Sequence, residues 1–165
     1  MPFTLCRLRG IVPSPGAVAG ILALACCLFL HSALAAEQNT AFVPFKINAP
    51  DPRELAESAD QILQQELADK NLALLSREEA RRIIDYDTGW PPGQEKMTEI
   101  AEHTGYDYVA IGTLTRIGDQ LSVDIEVYDM LSPEAAHASY RSGFSLAELD
   151  TAVRETVTDI LGYTS

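Results

Sequence analysis

The chain has 165 residues, 24 acidic against 12 basic side chains, and a formal charge of −12. Nucleic-acid affinity rests on Lys and Arg neutralising phosphates, so this balance excludes a nucleic-acid-binding protein. It disfavours anionic lipid surfaces for the same reason.

Residues 1–35 read as a secretory signal. Arg7 and Arg9 form a positive n-region, Ala17 to Leu30 is an apolar run of 14 residues, and Ala33-Leu34-Ala35 offers the small residues that a signal peptidase reads. The run is short of the ~20 residues of a bilayer span, so no direct transmembrane segment is expected after cleavage. Two alternatives stay open: the signal is retained as an N-terminal anchor, or the chain is lipidated at Cys26 or Cys27. Against lipidation, the apolar run continues past both cysteines, and Ala23 stands three before Cys26 where a leucine is usual. The remaining 130 residues carry all 24 acidic side chains and ten of the twelve basic ones, a formal charge of −14. They are enough for one domain. Cys6, Cys26 and Cys27 all lie in the signal, so the rest has no disulfide or thiol chemistry.

Residues 36–40 are a polar, flexible lead-in, and the domain is expected over 41–162, with 163–165 as a tail. Ala41 to Ile47 reads as a short strand. Pro44 inside it argues for an edge position or a bulge, because proline cannot donate to a ladder. Asp51, Pro52 and Glu54 open a first helix, on which Leu55, Ala59, Ile62, Leu63 and Leu67 recur at helical spacing. Asn71 is its expected stop, and Leu72 to Leu75 is a short strand. Ser76 and Glu79 form a capping box for a second, short helix. The stretch Asp85 to Gly93 (DYDTGWPPG) must be a loop. A third helix spans Glu95 to Thr104 and ends at Gly105.

Two long antiparallel strands follow. In the second, Leu121, Val123, Ile125 and Val127 alternate with Ser122, Asp124, Glu126 and Tyr128, the period of two of a half-buried strand. Gly118-Asp119 between the runs suits a two-residue hairpin turn. Val109, Ala110, Ile111 and Leu114 alternate less, as in a central strand covered on both faces. Another strand is expected over Ala136 to Ser142. Ser145 and Glu148 cap a last helix that carries Leu149, Val153, Val157, Ile160 and Leu161 and stops at Gly162. The order β-α-β-α-α-β-β-β-α predicts one α/β (α+β) domain, a mixed sheet of about five strands with helices packed on it.

Few residues offer chemistry. His103 and His137 are the only histidines after the signal, each without a metal-ligand spacing or a nucleophile motif. Gly105, Gly112 and Gly118 are too far apart for a phosphate loop and read as a helix stop, a close-packed strand position and a turn. Asp119 and Asp129 bound the second hairpin strand as structural residues. No catalytic, metal or cofactor site is expected. Carboxylate pairs such as Asp85/Asp87 and Asp124/Glu126 prove little in so acidic a chain, and the last two should face solvent. The loop with Tyr86 and Trp90 is the most exposed candidate. Its rings are either partner anchors or a lid over a core that short helices cover poorly. Phe42 and Phe45, on the strand with Pro44, are further partner-contact candidates.

The hairpin, read as DYVAIGTLTRIGDQLSVDIEVYD after Gly105, resembles the N-terminal domain of TolB. It is also similar to CsgG-, FlgO- and LpoB-type periplasmic domains, and to a domain that precedes POTRA repeats in some BamA-like proteins. The FVPF strand (Phe42 to Phe45) and the last helix match the start and end of that pattern. The resemblance implies a periplasmic domain, associated with the outer membrane in some of these settings, that contacts envelope or outer-membrane proteins without catalysis, as an adaptor in outer-membrane protein assembly or envelope maintenance. No propeller, POTRA repeat or barrel follows the last helix, so a stand-alone adaptor and a separated N-terminal piece are both expected readings, of undefined oligomeric state. The alternative is a small secreted ligand-binding protein or hydrolase using the acidic loop 85–93.

Overall fold

Proline breaks the first strand, and that break shapes the sheet. In the computed structural model, which describes residues 40–68, 70 and 72–164, the strand expected over 41–47 is two strands, β1 (Thr40–Phe42) and β2 (Lys46–Asn48). Both lie parallel to β4 (Tyr108–Ile117). Phe42 stands opposite Ala110 and Lys46 opposite Thr113, so the β1–β2 line holds one residue more than its partner. That is a bulge at Pro44, as a residue with no N–H requires. β1 itself is not at an edge: it lies between β4 and β3 (Ala73–Leu74).

The sheet runs β3-β1-β4-β5-β6, with β2 also beside β4. β5 is Gln120–Asp129 and β6 is Ser132–Phe144. The β4–β5–β6 pairs are antiparallel, so the sheet is mixed. The described residues hold six strands, one more than expected because of the break. Ile117 pairs with Gln120 across a two-residue turn, and Gly118 there has φ 61°, the positive value that the turn demands. β6 is longer than expected and extends at both ends.

Four helices complete the described fold: α1 (Pro52–Ala68), α2 (Arg77–Ile83), α3 (Gln94–Thr104) and α4 (Leu149–Thr164). α2 opens on the expected box: the Ser76 N–H donates to Glu79 Oε2 at 3.0 Å, and the Glu79 N–H to Ser76 Oγ at 3.2 Å. α3 ends at Gly105, which has φ 76° and donates its N–H to the Ala101 carbonyl at 2.7 Å. Ser145 and Glu148 open a 3-10 turn (Leu146–Glu148) that leads into α4. α4 runs through Gly162 to Thr164 rather than stopping at the glycine. The described residues all belong to one compact unit, Glu37–Ser165. The expected signal of residues 1–35 with its cysteines, the expected lead-in apart from Thr40, which opens β1 and is buried, and the expected Asn71 stop lie outside the described residues.

The two faces of the sheet carry two cores. On one, Leu121, Val123, Ile125 and Val127 of β5 meet Leu55, Ala59 and Leu63 of α1 and Val153, Val157 and Ile160 of α4, all buried. On the other, Val109 and Ile111 of β4 meet Ile84 after α2 and Met97 and Ile100 of α3. β4 is thus covered on both faces and β5 on one. This is why the first strand of the hairpin lacks the alternation of the second. Gly112 of β4 has no room for a side chain: a Cβ there would come within 2.6 Å of the Phe45 ring and of the Asp124 carbonyl oxygen.

Candidate interaction surfaces

The loop between α2 and α3 folds back onto the second core. Tyr86 and Trp90 stack with centroids 5.3 Å apart and planes at 15°, and both rest on that core, half-buried. The Tyr86 hydroxyl donates to the Pro44 carbonyl at 2.9 Å, and Trp90 Nε1 donates to Thr113 Oγ1 at 3.0 Å. The Trp90–Pro91 peptide is cis. Burial raises the Tyr86 phenol above its ordinary value, so it stays a neutral donor. These inward bonds fit a lid. Phe42 and Phe45 lie inside the first core, 2% and 1% exposed, and neither ring offers a contact surface.

The acidic residues of the loop are taken up locally. Asp85 accepts the Asp87 N–H at 2.9 Å and the Thr88 N–H at 3.3 Å, and its other oxygen accepts the Thr88 hydroxyl. The Thr88 hydroxyl first, then these amides, hold its pKa below the ordinary 3.8. It closes a turn. Asp124 is exposed at its surface, as expected, yet accepts the Thr113 N–H at 3.0 Å, and partial desolvation raises its pKa. Glu126 accepts the Tyr128 hydroxyl at 2.6 Å, and burial, then this bond, pushes that phenol up to about 12. Asp129 accepts the Leu131 N–H at 2.9 Å in the turn to β6. Asp119 sits in the hairpin turn, His103 in the last turn of α3. His137 of β6 stacks on Tyr163 at 5.1 Å. Among the described residues, no group of three or more His, Cys, Asp or Glu is placed to hold a metal ion, and no helix is long and apolar enough to cross a membrane.

Beside β2 lies a groove of about 630 Å³, walled by α1, α2 and the start of the aromatic loop. Among the described residues β3 pairs with β1 and not with β2, so this side of β2 is not covered by a strand. Side chains serve the carbonyls left there: Tyr86 bonds Pro44, and Arg77 Nη1 donates to the Phe45 carbonyl at 3.1 Å. Arg77 is held in turn by Asp60 of α1, through bonds of 2.7 and 2.6 Å, and its guanidinium lies 5.6 Å from the Tyr86 ring centroid. Lys46 donates to the Tyr86 carbonyl. Arg53 and Arg81 also line the groove. The sequence reading missed this surface. Its visible trace was the cluster Arg77, Arg81 and Arg82 in an otherwise acidic chain.

β6 forms one edge of the sheet, 13 residues long and, among the described residues, paired only with β5. Register shifts mark its pairing in three places. Tyr140 on it is 59% exposed.

No family model and no curated protein matches this chain. Solved structures do. PelC from Paraburkholderia phytofirmans, solved as a dodecamer, is similar at 17% identity and a TM-score of 0.50, over 76% of this chain and 89% of that one. The LpoB C-terminal domain from Salmonella enterica matches at 11% identity and a TM-score of 0.47, over 71% and 90%. TolB from Acinetobacter baumannii matches at 14% and 0.45, over 74% of this chain and 27% of that one. What the chain shares with PelC, at this low identity, is the fold.

Proposed function

We propose that this chain is an exported, non-catalytic protein-interaction domain of the cell envelope, acting in outer-membrane protein assembly or envelope maintenance. The signal-like start and the TolB-like hairpin support the compartment. The observation that carries the reading is the β6 edge: 13 residues bordered on one side by β5 and, among the described residues, by no strand on the other. Such an edge accepts a partner strand, whose main-chain bonds supply affinity. Its bulges guard against indiscriminate pairing.

The test is a photo-crosslinking residue in place of Tyr140, in cells that export the chain, followed by mass spectrometry. An envelope protein is expected among the adducts. Recovery of none, with a tightly held small molecule in the purified protein, would overturn the reading.

A further inference from the structure

We infer that the groove between β2, α1 and α2 is a docking site for an acidic, extended segment of a partner protein. This deepens the proposed interaction role and rests on it for the kind of partner. It concerns a surface built from residues other than those of the β6 edge.

Charge is the first support. Lys46, Arg53, Arg77 and Arg81 line this groove, four of the ten basic residues that follow the signal, whereas only three of the 24 acidic ones, Glu57, Asp60 and Asp87, share it. Asp60 is engaged by Arg77. The lining is net positive by one charge in an otherwise acidic molecule, which favours an anionic segment here over the rest of the surface.

The second support is how the cations are used. Lys46 donates to the Tyr86 carbonyl and Arg77 holds Asp60. Lys70 pairs with Glu66, Arg82 with Glu78, Lys96 with Glu99, Arg141 with Asp159 and Arg154 with Asp150. Arg116 donates to the Gly118 carbonyl. Arg53 and Arg81 have neither an ion pair nor a hydrogen bond among the described residues. These two come from different helices, yet both line the same groove. Each keeps a full guanidinium fork for a carboxylate.

The third support is the floor. Ile47 and Ala56 are half-buried there beside Pro52, so the groove pairs an apolar strip with cationic rims. An extended peptide fits this by alternation, placing apolar side chains on the strip and carboxylates at Arg53 and Arg81. The volume lies within the ~300–1,000 Å³ of ligand clefts. Glu57 and Asp87 in the lining oppose a dense phosphate cluster, but a peptide can step its carboxylates past them.

The experiment uses the exported chain without its signal and a fluorescein-labelled Glu-Val-Glu-Thr-Glu-Val-Glu-Thr peptide, read by anisotropy. Binding is expected in 50 mM salt, at least about tenfold weaker in 300 mM. The R53E/R81E double variant should also lose at least tenfold, with its melting temperature unchanged because both side chains are exposed. Peptide binding that survives the double substitution would overturn the proposal. So would an absence of binding, or tighter binding of polyphosphate or of phosphatidylglycerol vesicles than of the peptide. A photo-crosslinking residue at Arg81 separates this site from the wider reading. Envelope adducts from Tyr140 with none from position 81 would sink the groove alone. Peptide binding with no envelope adduct from either position would leave the groove standing and overturn the envelope role.

Discussion

The two faces of the sheet are closed by different means. α1 and α4, of 17 and 16 residues, lay long aliphatic stripes over β5 and the inner side of β4. α2 and α3, of 7 and 11 residues, cover less, and Tyr86, Trp90, Tyr106 and Tyr128 finish that side. Long helices can close a core with side chains that need no polar partner. A shallow margin suits rings with a polar tip, which bury their bodies and satisfy their N–H or O–H at the rim. Trp90 on Thr113, Tyr86 on Pro44 and Tyr128 on Glu126 all do this. The aromatic-closed side leaves the groove open at its border.

Among the described glycines, Gly112 leaves the least room for a side chain. Valine there would drive its Cβ into the Phe45 ring and the Asp124 carbonyl, and the carbonyl belongs to a paired strand that cannot retreat. The G112V variant is expected to lose about 3 kcal/mol in denaturant unfolding. A loss below about 1 kcal/mol would mean that Phe45 can move aside and that the helical face is less tightly packed than described.

On the aromatic-closed face, Trp90→Ala removes a stacked ring and its bond to Thr113. The ring is half-buried, so the expected loss is about 2 kcal/mol, smaller than for a buried core ring. It should appear as a lowered melting temperature. An unchanged melting temperature together with lost envelope adducts would remove the lid and make Trp90 a partner anchor.

The smallest effect concerns the rim of the helical face. Glu66 of α1 is 8% exposed and accepts from Arg154 of α4 at 2.8 Å and from Lys70 at 3.3 Å. The Arg154 bond, against the cost of burial, holds its pKa below the ordinary 4.5. A carboxylate with a lowered folded pKa stabilises above its unfolded value, and that contribution is lost as pH falls through the folded one. Arg154 is about half exposed, so water weakens the pair. Glu66→Gln is expected to lose about 1 kcal/mol at pH 7. The two proteins should converge in stability as the pH falls below 4.5. A gap that persists in acid would mean that Glu66 acts through packing rather than charge.

Much of this architecture was legible because local signals agreed with it. The hairpin could be read from the period of two in β5 and the Gly118 turn, and α2 from its capping box. The break at Pro44 was half legible. Proline announced a bulge, but that β1 would lie inside the sheet depends on β3, a two-residue strand too short to advertise a partner. Phe42 and Phe45 looked available because an edge was expected there, but both rings lie in the core that α1 and α4 cover. The groove was the least visible, since its cations come from β2 and two helices and meet only in space.

Residue order by itself therefore determined the period of each element, its caps and turns, and the acidic surface, because each depends on neighbours within a few positions. Tertiary structure alone decided that Glu66 would be buried against a helix 88 residues away. It also decided that Trp90 would face inward and that Arg53 and Arg81 would share a groove. Those outcomes depend on which distant segments the sheet brings together, and pairing over such distances leaves no periodic mark in the chain.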